Sequence, residues 1–311
     1  MMLSLLLAAT LAAAPPAATE LKAGPADALA GTLLKPVGKS RAAMIIIPGS
    51  GPTDRDGNSP AGIKAAPYRK LAEALAERGV ATVRIDKRGM FGSAAAGNPN
   101  EATFSAYDAD TRAWVESARK ATGQRCVWVA GHSEGGLVAM RAANAPDVCG
   151  AVLLTTPGEK LGDTIRKQLR ANPALAPYLP PAERALGELE AGRKVSIDGI
   201  LPALGQSLFN PAVQGFMIEL LAQDPSKLAA AIKRPLLIVQ GGHDVQVGLA
   251  NGDVLKKAAP RASYALFPAM NHVLSDAPAE RAANLATYAE ADRPLTAGLA
   301  DRVAAFVTGA K

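Results

Sequence analysis

Ser133, Asp244 and His272 are the residues whose types and spacing could do covalent chemistry, namely attack of a hydroxyl on an acyl carbon. Ser133 lies in Gly131-His132-Ser133-Glu134-Gly135, a Gly-x-Ser-x-Gly pattern that follows the apolar run Val127 to Ala130. That layout predicts a strand turning sharply into a helix with the serine at the apex. Such a turn needs small flanking residues, and Gly131, Gly135 and Gly136 supply them. The helix beginning beneath the serine offers free amides and a dipole that favours negative charge there.

A serine hydroxyl is a poor nucleophile near neutral pH. It needs a base to take its proton and an anion to orient that base. The chain has three histidines. His132 precedes the serine on the turn, so its side chain points elsewhere. His243 adjoins a candidate acid. His272 follows the last expected strand, in a loop from which it can reach back, and is the candidate base. Asp244 follows a buried run in Gly241-Gly242-His243-Asp244 and is the candidate acid. Glu159, just after the preceding strand, is its rival.

The oxyanion formed by attack needs fixed amide donors. One is the N–H of Glu134, directly after the nucleophile. The second is expected from Gly49-Ser50-Gly51-Pro52. Ser50 is the first choice there and Gly51 the second. Gly49 and Gly51 let the backbone approach a substrate carbonyl. Arg55, between Asp54 and Asp56 in the same loop, either braces that loop or touches substrate. Asp86 and Arg88 are expected to tie down a strand end, because a buried charge must be paired. No His-Glu-x-x-His pattern accompanies His243, Asp244 and His272, so neither metal nor cofactor is expected.

The elements that must position these groups alternate. Leu29 to Pro36 reads as an edge strand. Ala42 to Pro48, Val80 to Ile85, Val127 to Ala130 and Ala151 to Thr155 read as strands, with helices over Pro67 to Arg78 and Phe104 to Ala118. From Glu159 to about Lys233 there is no good strand, only helical stretches (Leu161 to Leu169, Ala182 to Glu190, Ala212 to Ala222) broken by prolines. Strands resume at Pro235 to Gln240 and Tyr264 to Phe267. A helix follows the first at about Gly252 to Ala259, and Leu295 to Val307 closes the chain. The fold class is therefore α/β, a doubly wound, mostly parallel sheet with a helical cap insertion. The core is 19–157 and 234–311, the cap 158–233. Ligands of such sheets bind at the carboxyl ends of the strands, where Ser133 falls.

Over 311 residues, 49% hydrophobic side chains suffice for a large core, although aromatics are only 4%. The net charge of +6 comes from scattered Lys and Arg, not a basic block interleaved with aromatics, which argues against nucleic-acid binding. Residues 1–18 carry no charged side chain and are mostly Leu and Ala. They read as a signal peptide cleaved between Ala14 and Ala18, placing the protein in the periplasm or outside the cell. No other run is long enough to span a membrane. Cys126 and Cys149 start what should be neighbouring parallel strands, within disulfide reach if the compartment is oxidising.

Ile47 to Asn58, Asp86-Lys87-Arg88-Gly89, Gly131 to Gly136, Gly241 to Asp244 and Asn271-His272-Val273-Leu274 together resemble the α/β-hydrolase superfamily. They are most similar to its bacterial esterase branch, related to dienelactone hydrolases and serine aminopeptidases. The resemblance runs from about Leu29 to the C-terminus, with the motifs in family order. It implies Ser133 as nucleophile, Asp244 as acid and His272 as base. It departs from many relatives at Met90-Phe91, which precede Gly92-Ser93 where Gly-x-Ser is usual. The expected activity is hydrolysis of a small-molecule carboxylic ester through an acyl-enzyme. Aminopeptidase or acyltransferase on the same scaffold is the alternative, with Glu183, Glu188 and Glu190 available to meet an amine. A binding protein with a dead hydrolase fold is the remaining one.

Overall fold

Apolar runs with no polar face, such as Ala42 to Ile47, are stable only where a sheet is covered on both sides. In this protein they form the middle of one eight-stranded sheet. The structure, a computed structural model, describes residues 18–309. The strands are β1 (Ala18–Ala23), β2 (Leu29–Leu34), β3 (Ala42–Ile47), β4 (Val80–Ile85), β5 (Val127–His132), β6 (Val148–Leu154), β7 (Leu236–Gly241) and β8 (Ser263–Phe267). Their spatial order is β1-β2-β4-β3-β5-β6-β7-β8. The β1/β2 and β2/β4 pairings are antiparallel and the rest parallel. The signal-peptide reading falls, apart from Ala18, outside the described residues.

Leu29 to Leu34 is not an edge. Gly31 pairs with Leu21 of β1 on one side and with Ile85 of β4 on the other. The true edge, Ala18–Ala23, is largely exposed and carries Glu20 and Lys22. Charges suit an edge because they discourage further pairing, and they also erase the apolar signature of a strand.

Alternate side chains of β3 enter opposite cores. Ala43, Ile45 and Ile47 pack with Phe104, Tyr107, Trp114 and Leu137. Met44 and Ile46 pack with Tyr68, Leu71, Leu75 and Val303. The first face is covered by α2 (Phe104–Thr122), α3 (Gly135–Ala142) and α9 (Leu249–Ala258), and the second by α1 (Pro67–Glu77) and the closing α11 (Leu299–Gly309), which follows the short α10 (Arg281–Ala286). Local signals set these limits. Pro67 opens α1, and Gly79 at φ 79° follows its end. Thr103 caps α2 by accepting from the Ala106 amide, and Gly123 closes it at φ 70°.

Between β6 and β7 run α4 (Leu161–Arg170), α5 (Leu179–Glu190), α6 (Pro202–Ser207), α7 (Gln214–Leu221) and α8 (Pro225–Ala230). Ile165, Leu169, Leu186, Leu189, Phe209 and Leu221 form a core of their own. Phe216 and Leu220 of α7, with Ala229 of α8 and Ile232 after it, pack on the sheet's core. Glu219 of α7 accepts from the amide of Phe104 at 3.0 Å, tying the insertion to the start of α2.

Cys126 and Cys149 are disulfide-bonded with Cα atoms 5.2 Å apart. They sit where β5 and β6 begin, with Val127 paired to Val148.

Candidate active site

The strand β5 ends at His132, and Ser133 follows with φ 52°. An L-residue avoids that region, at a cost of about 1–2 kcal/mol, so the turn is held from outside. Gly131 and Gly135 show how. A Cβ on Gly131 would lie 2.1 Å from the Gly135 carbonyl oxygen, and one on Gly135 would lie 2.4 Å from that of Ile47. The elbow forms because these two positions have no side chain. The Ser133 amide donates to Leu154 O at 3.0 Å, fixing the apex to β6.

His272 and Asp244 meet. Nδ1 of His272 is 2.8 Å from Oδ2 of Asp244. Oδ1 of Asp244 accepts from the amides of Gln246 and Val247, both at 2.8 Å. A buried carboxylate with both oxygens hydrogen-bonded cannot rotate away. It takes Nδ1 of His272 and leaves Nε2 free for other chemistry. The base loop is shaped by Asn271, fully buried, whose Oδ1 accepts from the amides of Val273 and Ser275 and whose Nδ2 donates to Thr287. His243, the other candidate, donates from Nδ1 to the Ala277 carbonyl at 2.6 Å. Glu159, the rival acid, has its carboxylate on Lys167 at 2.6 and 2.7 Å.

A cavity of about 230 Å³ opens at the elbow, and Ser50, Ser133 and Glu134 all line it. Among the described residues the amides of Ser50 and Glu134 have no acceptor, the state an oxyanion donor requires. Gly49 and Gly51 do not line the cavity. The Gly49 N–H donates to the Tyr68 hydroxyl at 3.2 Å, and a Cβ on Gly49 would come within 3.2 Å of Ser133. Gly51 sits at φ 69° in an exposed turn. Of the two roles open to Arg55, its bonds perform the bracing one. Its backbone N–H, Nε and Nη2 all donate to Asp86 at 2.6–2.9 Å, and Nη1 donates to Thr32. Asp56 pairs with Arg84, and Arg88 with Asp110 at 2.5 Å. Burial raises the Asp56 and Asp110 carboxyls above the usual range and lowers Arg84.

The helical insertion supplies much of the cavity wall: Leu161, Thr164 and Gln168 of α4, with Leu220 of α7 and Pro225 of α8. The core contributes Leu137, Pro157 and Val247. Glu183, Glu188 and Glu190 pair with Arg170, Arg193 and Arg166. A larger cleft of about 760 Å³ lies against α2 and the end of α3. Most of its charged side chains pair with one another, as in Arg119–Asp147, Arg141–Asp108 and Lys120–Glu116.

Two buried residues at the site were not singled out by sequence. Tyr68, on α1, donates to Nδ1 of His132 at 2.8 Å. Lys87, next to Asp86, pairs with Glu134 at 3.4 Å. Tyr68 is one aromatic on an apolar helix face, which spacing cannot distinguish from a core residue. Lys87 lies in a motif quoted for resemblance alone. Burial and the neighbouring His272 push the His132 imidazole down to about 3.

Residues 44–285 match the family model of the alpha/beta hydrolase family. Esterase EstD of Thermotoga maritima is 25% identical over 239 residues, covering 75% of this chain and 54% of the relative, so the match spans about half of that protein's length. Among solved structures, an esterase of Pyrococcus furiosus aligns with a TM-score of 0.55 and 16% identity, over 94% of this chain and 91% of that one. The dienelactone hydrolase of Anabaena variabilis aligns with 0.54 and 15%, over 95% and 99%. Est1E of Butyrivibrio proteoclasticus aligns with 0.52 and 21%, over 88% and 95%. At these identities the structural likenesses speak for the fold.

Proposed function

The chain belongs to the alpha/beta hydrolase family, and from that premise we propose that it is a serine esterase cleaving small carboxylic esters through an acyl-enzyme. The observation that carries the reading is the 2.8 Å bond between His272 and Asp244, on the loops after β7 and β8, in a fold that turns Ser133 into a small cavity. In this reading Nε2 of His272 takes the proton as Ser133 Oγ attacks the ester carbonyl. The oxyanion is received by the amides of Glu134 and Ser50. The tetrahedral intermediate collapses, His272 returns the proton to the leaving alcohol, and the ester C–O bond breaks. Water, deprotonated by His272, then attacks the acyl-enzyme and frees the acid and Ser133. No cofactor takes part.

The cavity supports a small substrate. Its volume of about 230 Å³ falls below the roughly 300–1,000 Å³ usual for ligand pockets. The surroundings favour ester over peptide, because the two acids on the cavity wall, Glu134 and Glu159, are paired with Lys87 and Lys167, and Glu183, Glu188 and Glu190 lie off the wall and are paired with Arg170, Arg193 and Arg166. Export across a membrane is part of the proposal. It is supported by the uncharged apolar residues 1–18 and by the Cys126–Cys149 bond, which an oxidising compartment preserves. Cleavage between Ala14 and Ala18 leaves the rest of β1 in place. The decisive measurement is turnover of purified protein on nitrophenyl esters from acetate to laurate, beside amino-acid nitroanilides. Short esters should be cleaved fastest and the anilides hardly at all. Preferential cleavage of the anilides would replace the esterase reading with the peptidase one.

A further inference from the structure

Three loops must hold register for the proposed chemistry. They are the turn at Ser133, the loop carrying Ser50, and the loop carrying His272. A single line of buried hydrogen bonds joins all three. The Gly49 N–H lies 3.2 Å from the Tyr68 hydroxyl. That hydroxyl lies 2.8 Å from Nδ1 of His132. Nε2 of His132 lies 2.8 Å from the backbone carbonyl of His272. Tyr68, His132 and His272 are 2%, 5% and 6% exposed, so water does not compete for these bonds.

The direction of each bond follows from elementary rules. A carbonyl only accepts, so His132 carries its proton on Nε2. A neutral imidazole has one N–H, so Nδ1 accepts. Tyr68 must therefore donate to it, and the phenol oxygen is left to accept from Gly49. Every group in the line is used once, with no conflict. The neutral form this needs agrees with the imidazole's pKa of about 3, and burial raises that of the Tyr68 phenol well above its ordinary value. The ring contacts are also close. Tyr68 and His132 meet edge-on with centroids 5.3 Å apart, and the His132 and His272 rings lie 4.6 Å apart.

We propose that His132 and Tyr68 are positioning residues, which hold the base loop and the oxyanion loop in register with the nucleophile through this line. The proposal rests on the serine-esterase reading. His132 is adjacent to Ser133 and grips the main chain of His272. Tyr68 grips the residue before Ser50. Releasing either end lets a reacting group drift by a fraction of an ångström or more, and drift of about 1 Å costs on the order of a hundredfold in rate. The loss falls on kcat, because neither side chain lines the substrate cavity.

The test uses the full chain and the variants Tyr68→Phe, His132→Leu and His132→Gln. Glutamine keeps a donor able to reach the His272 carbonyl, and leucine keeps none. We expect kcat on a short nitrophenyl ester to fall about tenfold for Tyr68→Phe and about a hundredfold for His132→Leu. KM should stay within about twofold, and His132→Gln should recover most of the leucine loss. Equal losses for glutamine and leucine, or losses that only track the folded fraction seen by near-UV dichroism, overturn the proposal. Nitrogen-15 spectra of the histidine rings give a readout free of turnover. His132 should be neutral and protonated at Nε2 from pH 5 to 8, and a charged or Nδ1-protonated ring overturns the line of bonds. A wild-type chain that neither cleaves esters nor labels at Ser133 with a fluorophosphonate sinks the esterase reading and the positioning role together. An active, labelled wild type whose variants keep full kcat sinks the positioning role alone.

Discussion

The ammonium of Lys87 lies 3.4 Å from Oε1 of Glu134, and both side chains are buried. Glu134 supplies the amide that the proposed mechanism sets against the oxyanion, and Lys87 offsets the charge its carboxylate would place there. The other carboxylate oxygen, Oε2, is buried without a partner. Removing one member of such a pair strands a charge in low dielectric, which costs about 3–5 kcal/mol, while removing both is close to neutral. Lys87→Met should therefore unfold at much lower urea, and Lys87→Met with Glu134→Leu should recover most of the loss. Chemical denaturation of the three proteins measures both.

Asp244→Asn should lower kcat by about 10⁴, because the amide presents the wrong partner to Nδ1 of His272 and disturbs the tautomer. Glu159→Gln should change kcat little and act mainly on KM, since Glu159 lines the cavity while its carboxylate is bonded to Lys167. Steady-state kinetics of the two variants on one ester ranks them. The opposite ranking would return the acid to Glu159.

Ser133→Ala and Ser133→Gly should both abolish turnover and fluorophosphonate labelling. They should differ in stability. At φ 52° alanine keeps the backbone strain and glycine releases it, so the glycine variant should be the more stable by about 1 kcal/mol, less the entropy it adds to the unfolded chain. Thermal melts of the two inactive proteins read the difference. Glycine melting below alanine would mean that the turn is not strained.

Most of this architecture was legible in the sequence. β3 and β6 are apolar on both faces, the pattern of a strand covered on both sides. The contact of Asp244 with His272 could be anticipated because a chain with three histidines leaves few choices of base. What escaped detection depends on contact, not pattern. β1 is largely exposed, with Glu20 and Lys22, and has no apolar run to mark it as a strand. Tyr68 reads as a core aromatic until it is found on His132, 64 positions away. Arg55 could brace its loop or touch substrate, with bracing favoured, and its bonds to Asp86 perform the bracing role.

His132 gives stability a pH dependence of defined sign. Its imidazole sits at about 3 in the folded protein, against 6.5 for the free side chain. Between those values the unfolded chain binds a proton that the folded chain refuses. Stability is therefore full above about pH 6.5 and falls as the pH drops towards 3, by about 1.4 kcal/mol per unit. From pH 7 to pH 5 this one group should remove about 2 kcal/mol. His132→Gln has nothing to titrate, so its stability should fall less over the same range. Urea midpoints at pH 7, 6 and 5 for both proteins give the comparison, and parallel curves would show that His132 titrates normally.

The disulfide should matter for stability and not for chemistry. Cys126 and Cys149 lie where β5 and β6 begin, at the opposite end of β5 from Ser133. The bond closes a loop 23 residues in separation that contains β5, the elbow and α3. Chain entropy assigns such a loop about 3 kcal/mol, because the unfolded chain loses freedom that the folded chain never had. The double variant Cys126→Ser, Cys149→Ser should lose about that much and keep kcat and KM within about twofold in conditions where it stays folded. Protein recovered from an oxidising compartment, alkylated without reduction and then weighed by mass spectrometry, should carry no alkyl groups. Protein made in a reducing cytosol should carry two after denaturation and should melt lower. Two alkyl groups on the exported protein would remove both the bond and the main physical support for export.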